Sequence, residues 1–342
     1  MEPLFKVPIR NLFCLLSYMN EMPELVNSLN EVDEDIITYD FIAKQFLNEA
    51  EAIKRRGFIK NYEVIQEATS HLGGRLMMNE SMPYIVAKQP KVVCEKDQYS
   101  PNNVWNQIMK STLIGISRNR FVKAETRKRS FAFLDYFQEV DSPSLTNEMF
   151  LKLYYSRHNS HYKRMIQISR LLHEFTLLSH KNGNWSLFSA ELDETFLNQI
   201  FERFLFNFFR IEQRDYKVQS EIMQWHLQGN QSLLPVMKTD ISLTHMNRHE
   251  KIVMDAKFYK NTFQENYGKS TFHSHNLYQM FTYLMHQPKE LNLRGILIYP
   301  FNGVDVDESL LWDSRMTMEV MTLNLNDSWK DIYNKLMSIV IQ

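Results

Sequence analysis

Two positions fifteen residues apart, Asp240 and the head of Asp255-Ala256-Lys257, are the residues of this 342-residue chain best suited to chemistry. They lie on segments that read as neighbouring strands. In 237–244, Met237, Thr239, Ile241 and Leu243 alternate with Lys238, Asp240, Ser242 and Thr244. In 251–258, Ile252, Met254, Ala256 and Phe258 take one face, Asp255 and Lys257 the other. This is the period-2 pattern of half-buried strands. The polar stretch 245–250 between them suits a hairpin connection. If Thr244 and Lys251 close that hairpin, antiparallel partner numbers sum to 495, and Asp240 then faces Asp255. Their Cβ atoms would lie roughly 5 Å apart. Two carboxylates that close repel unless a proton or a cation sits between them. A divalent metal ion meets that need.

Phosphodiester hydrolysis is the chemistry such a set suits. It needs an activated water, stabilised charge at phosphorus and help for the leaving alkoxide. One or two Mg²⁺ ions supply much of this when carboxylates hold them with open positions left for water and phosphate. Asp240 and Asp255 offer hard oxygen ligands and the Ala256 carbonyl a third. Glu202, on an aromatic-rich helix, is a candidate for a further ligand from beside the sheet. Lys257 shares a face with Asp255 and would orient the water or neutralise charge on the phosphate. Gln279 and Tyr283, spaced i, i+4, share one helical face and are candidates for holding the water, the lysine or a DNA phosphate. An Asp-x-Lys triplet on a strand is by itself commonplace at solvated edges. Its spacing from Asp240, with Gln-x-x-x-Tyr on the next helix, is what narrows the reading.

The elements that must position these groups follow from periodicity. The first 60 residues read as helical. A short polar stretch with Gly73-Gly74 precedes extended chain through 83–95, and helical spacing returns from Asn102 to about 180. Asn and Gly in 181–189 break the pattern and mark a boundary. A helix capped by Asp193 follows, its apolar positions 196, 197, 200, 201, 204, 205 and 208 forming one stripe. Extended segments are expected near 216–224, 237–244 and 251–258, a helix at 273–286, strands at 294–300 and 316–325, and a last helix at 327–340. The fold class expected is α+β. A mostly helical domain with a small extended region covers 1–185, and a mixed sheet flanked by helices covers 190–342.

Composition narrows the function classes. With 44% apolar and 23% charged residues the chain suits folded cores rather than disorder. A net charge of −1 and pI near 6.8 give no global field for nucleic acid or lipid, so any nucleic-acid contact comes from local patches or from a partner. Cys14 and Cys94 are far apart and suggest neither a disulfide framework nor a zinc site. No secretion pattern or run of about 18 apolar residues is evident, which fits a reducing cytoplasm.

The chain resembles the PD-(D/E)xK nuclease superfamily and, within it, the McrC family, nuclease subunits of the McrBC modification-dependent restriction systems. The resemblance rests on LLPVMKTDISL (233–243), KIVMDAKFYK (251–260), FHSHNLYQMFTYL (272–284) and GILIYP (295–300). In the first half it rests on VPIRNLFCLLSYM (7–19), GGRL (73–76) and NQIMKSTL (106–113). One departure is Thr239, where the superfamily pattern has proline. The resemblance implies a Mg²⁺-dependent DNA endonuclease that cuts only with a companion AAA+ GTPase ring, McrB, which carries the reader of methylated cytosine. It further implies that the first half docks on that ring and stimulates its GTP hydrolysis. The absence of G-x-x-x-x-G-K-[ST] here agrees with GTP binding elsewhere. Two complexes would come together to cut both strands, since one site breaks one strand.

Remaining features carry less. The run 118–129 holds Arg118, Arg120, Lys123, Arg127, Lys128 and Arg129 against one acidic residue, a candidate for DNA phosphates or an acidic partner face and otherwise a solvated surface. His158 and His161 are spaced i, i+3 without a carboxylate or cysteine, which disfavours zinc and favours a ring contact. His273 and His275 could approach phosphate or simply cap the next helix. The nineteen methionines read as core filler. Two other functions fit the same residues: a catalytically degenerate adaptor that only activates the GTPase ring, and a stand-alone DNA or RNA nuclease.

Overall fold

The computed structural model describes residues 7–27, 39–180, 194–230, 232–258, 263–266 and 269–341. The segment 181–189 and the Asp193 cap lie outside them. Along the chain run α1 (Ile9–Met19), α2 (Pro23–Asn27), α3 (Tyr39–Arg56), β1 (Asn61–Thr69), β2 (Arg75–Leu76) and α4 (Met78–Val86). Next come β3 (Val92–Ser100), α5 (Val104–Arg118), α6 (Ala124–Phe133), α7 (Asn147–Leu151) and α8 (Lys163–His180). Then follow α9 (Glu194–Glu212), β4 (Tyr216–Gln219), β5 (Ile222–Met223), β6 (Met237–Lys238), β7 (Ile241–His245) and β8 (Glu250–Ala256). The hairpin strands β9 (Phe263–Asn266) and β10 (Lys269–Phe272) lead to α10 (Ser274–Met285), β11 (Asn292–Pro300), β12 (Asp307–Asp313), β13 (Met316–Leu323) and α11 (Trp329–Ile341). The α+β class is as expected.

The chain divides into two compact units, residues 38–174 and residues 1–37 with 175–342. A single cut at 185–190 is therefore corrected: the first helix belongs with the sheet. The cause is local and physical. Tyr18 of α1 packs against Phe204 and Phe208 of α9 and against Trp329. Asn207 of α9 donates to the carbonyls of Tyr18 and Met19, capping the end of α1. Asn11 donates to the carbonyls of Leu325 and Asp327, 2.8 Å each.

In unit 38–174, β1, β3 and β2 form an antiparallel sheet in the order β1-β3-β2. Gly74, at φ +84°, must be glycine because a Cβ there would meet the Glu95 carbonyl oxygen. The stretch 83–86, expected as extended, is instead the end of α4. Its Pro, Tyr, Ile and Val argue locally against a helix, but Ser81 is buried and its hydroxyl is bonded to both Met77 O and Val93 N. Strand β1 had no periodic signature because neither of its faces is covered.

The other unit is built on a six-stranded mixed sheet in the order β12-β13-β11-β8-β7-β4. Strands β13, β11 and β8 are parallel, and β12, β7 and β4 pair antiparallel to their neighbours. In the apolar stripe of α9, Ile200, Phe201, Phe204, Leu205 and Phe208 are buried. Helix α10 covers the sheet with Met280, Tyr283 and Leu284 against Val253, Leu297 and Tyr299. Strand β8 therefore is not half-exposed as its alternation suggested; every residue after Glu250 is buried. Strand β12 escaped the sequence reading because it is an exposed edge with no buried face.

Gly295 in β11 admits α10. A Cβ there would lie 2.7 Å from Leu284 Cδ1 and 2.9 Å from Met280 Sδ, both in the core. Gly295→Ala should therefore destabilise the protein by about 1–3 kcal/mol through overpacking. A lowered midpoint in urea or thermal unfolding checks this; an unchanged midpoint contradicts it.

Candidate active site

Hairpin register is the first element of the site. Strand β7 pairs with β8 from Ile241↔Met254 to Thr244↔Lys251, so partner numbers sum to 495 as expected. Continuing that register by one residue sets Asp240 against Asp255. An Asp240 carboxylate oxygen accepts from the Ala256 N–H at 3.2 Å. A strand residue sends its N–H and C=O to the same edge, so the Ala256 carbonyl leaves toward Asp240 as well.

Asp255 is fully buried, and among the described residues neither of its carboxylate oxygens has a donor aligned for a hydrogen bond. Lys257 Nζ lies 2.9 Å from Oδ2, close enough for an ion pair though off the hydrogen-bond axis. Burial, then the charge of Asp240, pushes the Asp255 carboxyl up to about 7 despite Lys257. A buried, under-satisfied carboxylate beside a second one is costly for the fold unless something binds there. Hard oxygen donors at one spot, with a backbone carbonyl aimed the same way, are the donor set Mg²⁺ or Mn²⁺ prefers. The residues fit the ion.

Glu202 on α9 is half-buried; burial, then Asp240, raises its carboxyl, while Lys257 and Lys238 oppose the shift. It belongs to the same electrostatic neighbourhood. It does not complete a metal-holding group, since no cluster of three His, Cys, Asp or Glu side chains forms among the described residues. Tyr283 is also corrected in role. Its hydroxyl donates to the Lys238 carbonyl at 2.7 Å and accepts from the Gln279 amide at 2.7 Å. Tyr283 and Gln279 thus hold the backbone two residues before Asp240, rather than presenting the phenol to a water.

His158, His161 and the basic run belong to unit 38–174, where Arg118, Arg120, Lys123, Lys128 and Arg129 are exposed. His273 and His275 lie at the start of α10 with ring centroids 5.9 Å apart. Sequence reasoning missed a buried polar set next to Asp240. Lys251, 5% exposed, reaches Glu221 at 2.5 Å and Gln287 at 2.7 Å. Burial acts to raise the Glu221 carboxyl, but Lys251, Gln219 and Ser242 outweigh it and hold it low. The available signal was a lysine on the same strand face as Asp255, four residues earlier, in a strand flanked by core residues.

Residues 7–300 match the family model described as McrBC 5-methylcytosine restriction system component. The chain belongs to this family. It is 24% identical over 341 residues, 97% of each chain, to the type IV methyl-directed restriction enzyme EcoKMcrBC of Escherichia coli K12. Two solved Thermococcus gammatolerans structures are also similar. One is a refined half-complex from a tetradecameric assembly of McrB AAA+ hexamers with bound McrC, at 16% identity and TM-score 0.44, covering 89% of this chain and 68% of that one. The other is the McrBC complex, at 17% identity and TM-score 0.40, covering 61% of this chain and 60% of that one. Among the described residues, no helix is long and apolar enough to cross a membrane.

The raised Asp255 carboxyl has a pH consequence for the metal-free protein. Its folded state binds this proton more tightly than the unfolded chain does, so stability falls as pH rises from about 4 to about 7 and then levels. In EDTA, Asp255→Asn should remove most of that fall and melt ~5 °C or more above wild type at pH 8. Parallel wild-type and variant melting curves across this range would contradict the assignment.

Proposed function

We propose that this chain is the DNA-cleaving subunit of a GTP-dependent restriction complex specific for modified cytosine, hydrolysing phosphodiester bonds with Mg²⁺. The observation that carries the reading is the buried Asp255 carboxylate, set against Asp240 across the hairpin with Lys257 beside it. Asp240, Asp255 and the Ala256 carbonyl would hold the ion, which supplies Lewis acidity and a lowered pKa for bound water. Lys257, mostly buried but reachable, holds a positive charge where a phosphate oxygen would gain negative charge. Glu202 lies close enough to feel Asp240 and Lys257, and its raised carboxyl suits an outer-sphere proton acceptor. Tyr283 and Gln279 fix the strand that carries Asp240.

The family description and the name of the E. coli relative support a partnered rather than a solitary enzyme. The partner would be an AAA+ GTPase ring that also reads the modified base. Unit 38–174 exposes Tyr62, Val64, Leu76, Met78, Val86 and Tyr99 around its small sheet, a concentration of apolar surface that suits docking. Pairing of two complexes would provide the second site for the second strand.

Reconstitution with the partner GTPase tests the reading. Asp255→Ala and Asp240→Ala should lower cleavage of methylated DNA by about 100-fold or more, with GTP hydrolysis retained. Loss of GTPase in parallel, or cleavage by wild type without partner or GTP, would contradict it. Val64→Asp with Val86→Asp should weaken co-purification with the ring by about tenfold or more while leaving metal binding by the chain unchanged. Undiminished co-purification would rule this surface out.

A further inference from the structure

Asp240 sits at a break in strand pairing. Strand β4 pairs with β7 so that Gln219 faces Ser242 and partner numbers total 461. Strand β5 pairs with β6 so that Ile222 faces Lys238 and they total 460. Between those pairs lie two residues on one side, Ser220 and Glu221, and three on the other, Thr239, Asp240 and Ile241. One extra residue is accommodated there, a β-bulge of the kind that re-aims a side chain.

Thr239 closes the bulge in an unusual way. Its N–H donates to the Glu221 carbonyl at 2.9 Å, as in a regular ladder. The return bond does not go to the Thr239 carbonyl. Glu221 N–H donates instead to Thr239 Oγ1 at 3.0 Å, and the Thr239 carbonyl accepts from Ser220 Oγ. The side-chain oxygen thus stands in for the main-chain one. The peptide joining Thr239 to Asp240 is released from the ladder and can turn.

The hydroxyl is itself held. Thr239 Oγ1 and Ser242 Oγ are 2.9 Å apart, and Ser242 joins Lys251 in holding the Glu221 carboxyl low. Whichever hydroxyl donates in that pair, Thr239 Oγ1 keeps a lone pair for the Glu221 N–H. Thr239 is 1% exposed and Ser242 is fully buried, so the chain of bonds works without competition from water.

We propose that Thr239 is a positioning residue for metal binding: its hydroxyl replaces its own carbonyl in the ladder and so turns Asp240 toward Asp255. This rests on the metal-site reading of Asp240 and Asp255. Without the hydroxyl, the Thr239 carbonyl can swing back to Glu221 N–H, repairing the ladder and carrying Asp240 away. The fold would lose little and the site much, which separates this role from a merely structural one.

The test is Mn²⁺ titration of the purified full-length chain, following free Mn²⁺ by electron paramagnetic resonance, with thermal melting alongside. Thr239→Val should weaken Mn²⁺ binding by about tenfold or more, as loss of a supporting shell does. Thr239→Ser, which keeps the oxygen, should restore binding to within about threefold of wild type. Ser220→Ala, at an exposed position, should weaken binding in the same direction and remains informative if the valine variant does not fold. Wild-type affinity in Thr239→Val or in Ser220→Ala, or a serine variant as weak as valine, overturns the proposal. Wild-type protein that binds no Mn²⁺, like Asp255→Asn, overturns the metal site itself and this role with it.

Discussion

One fully buried carboxylate, Asp255, faces a second, half-buried one across a hairpin, and the mutual repulsion of this pair is the constraint around which the sheet is organised. Proteins rarely keep a charge on a central strand without a donor. Here the strand is flanked by α9 and α10, and its neighbours Val253, Met254 and Ala256 are core residues. Burial that strengthens a cation's hold also makes the empty pair unfavourable. Lys257 relieves part of that cost as a near, poorly aligned counter-ion.

Holding the pair requires rigid supports on both sides. Asp255 is fixed by the parallel β8–β11 ladder, and the Lys257 N–H bonds the Ile298 carbonyl just past its end. Asp240 has no such ladder, because it precedes the first paired residue of β7. Its supports come from side chains: Tyr283 on the Lys238 carbonyl, Ser220 on the Thr239 carbonyl and the Thr239 hydroxyl on the Glu221 N–H. A carboxylate pair placed this way depends on such supporting bonds for its geometry.

Much of this was legible in the sequence, and the reasons are specific. Hairpin register followed from the polar connection 245–250: closing it with Thr244 and Lys251 makes partner numbers sum to 495, as the β7–β8 pairing does. The aromatic stripe of α9 announced its buried face, and Gln279 and Tyr283 were recognisable as neighbours of the pair. Their role was not, since only the distance from the phenol to Lys238 O shows where that hydroxyl is spent. The bulge at Thr239 was equally silent: alternation continues across it, and the extra residue appears only when two ladders are compared. Strands β1 and β12 left no pattern because no face of either is covered. Helix α1 looked like part of an N-terminal domain because sequence proximity says nothing about Asn207 and the α9 aromatics that receive it.

Anomalous diffraction from crystals of the full chain soaked in Mn²⁺ tests most directly for an ion held between the two aspartates. A peak is expected within about 2.0–2.6 Å of carboxylate oxygens of both Asp240 and Asp255, abolished by Asp255→Asn. Two aspartates that show no peak between them at millimolar Mn²⁺, with the hairpin register intact, would contradict it.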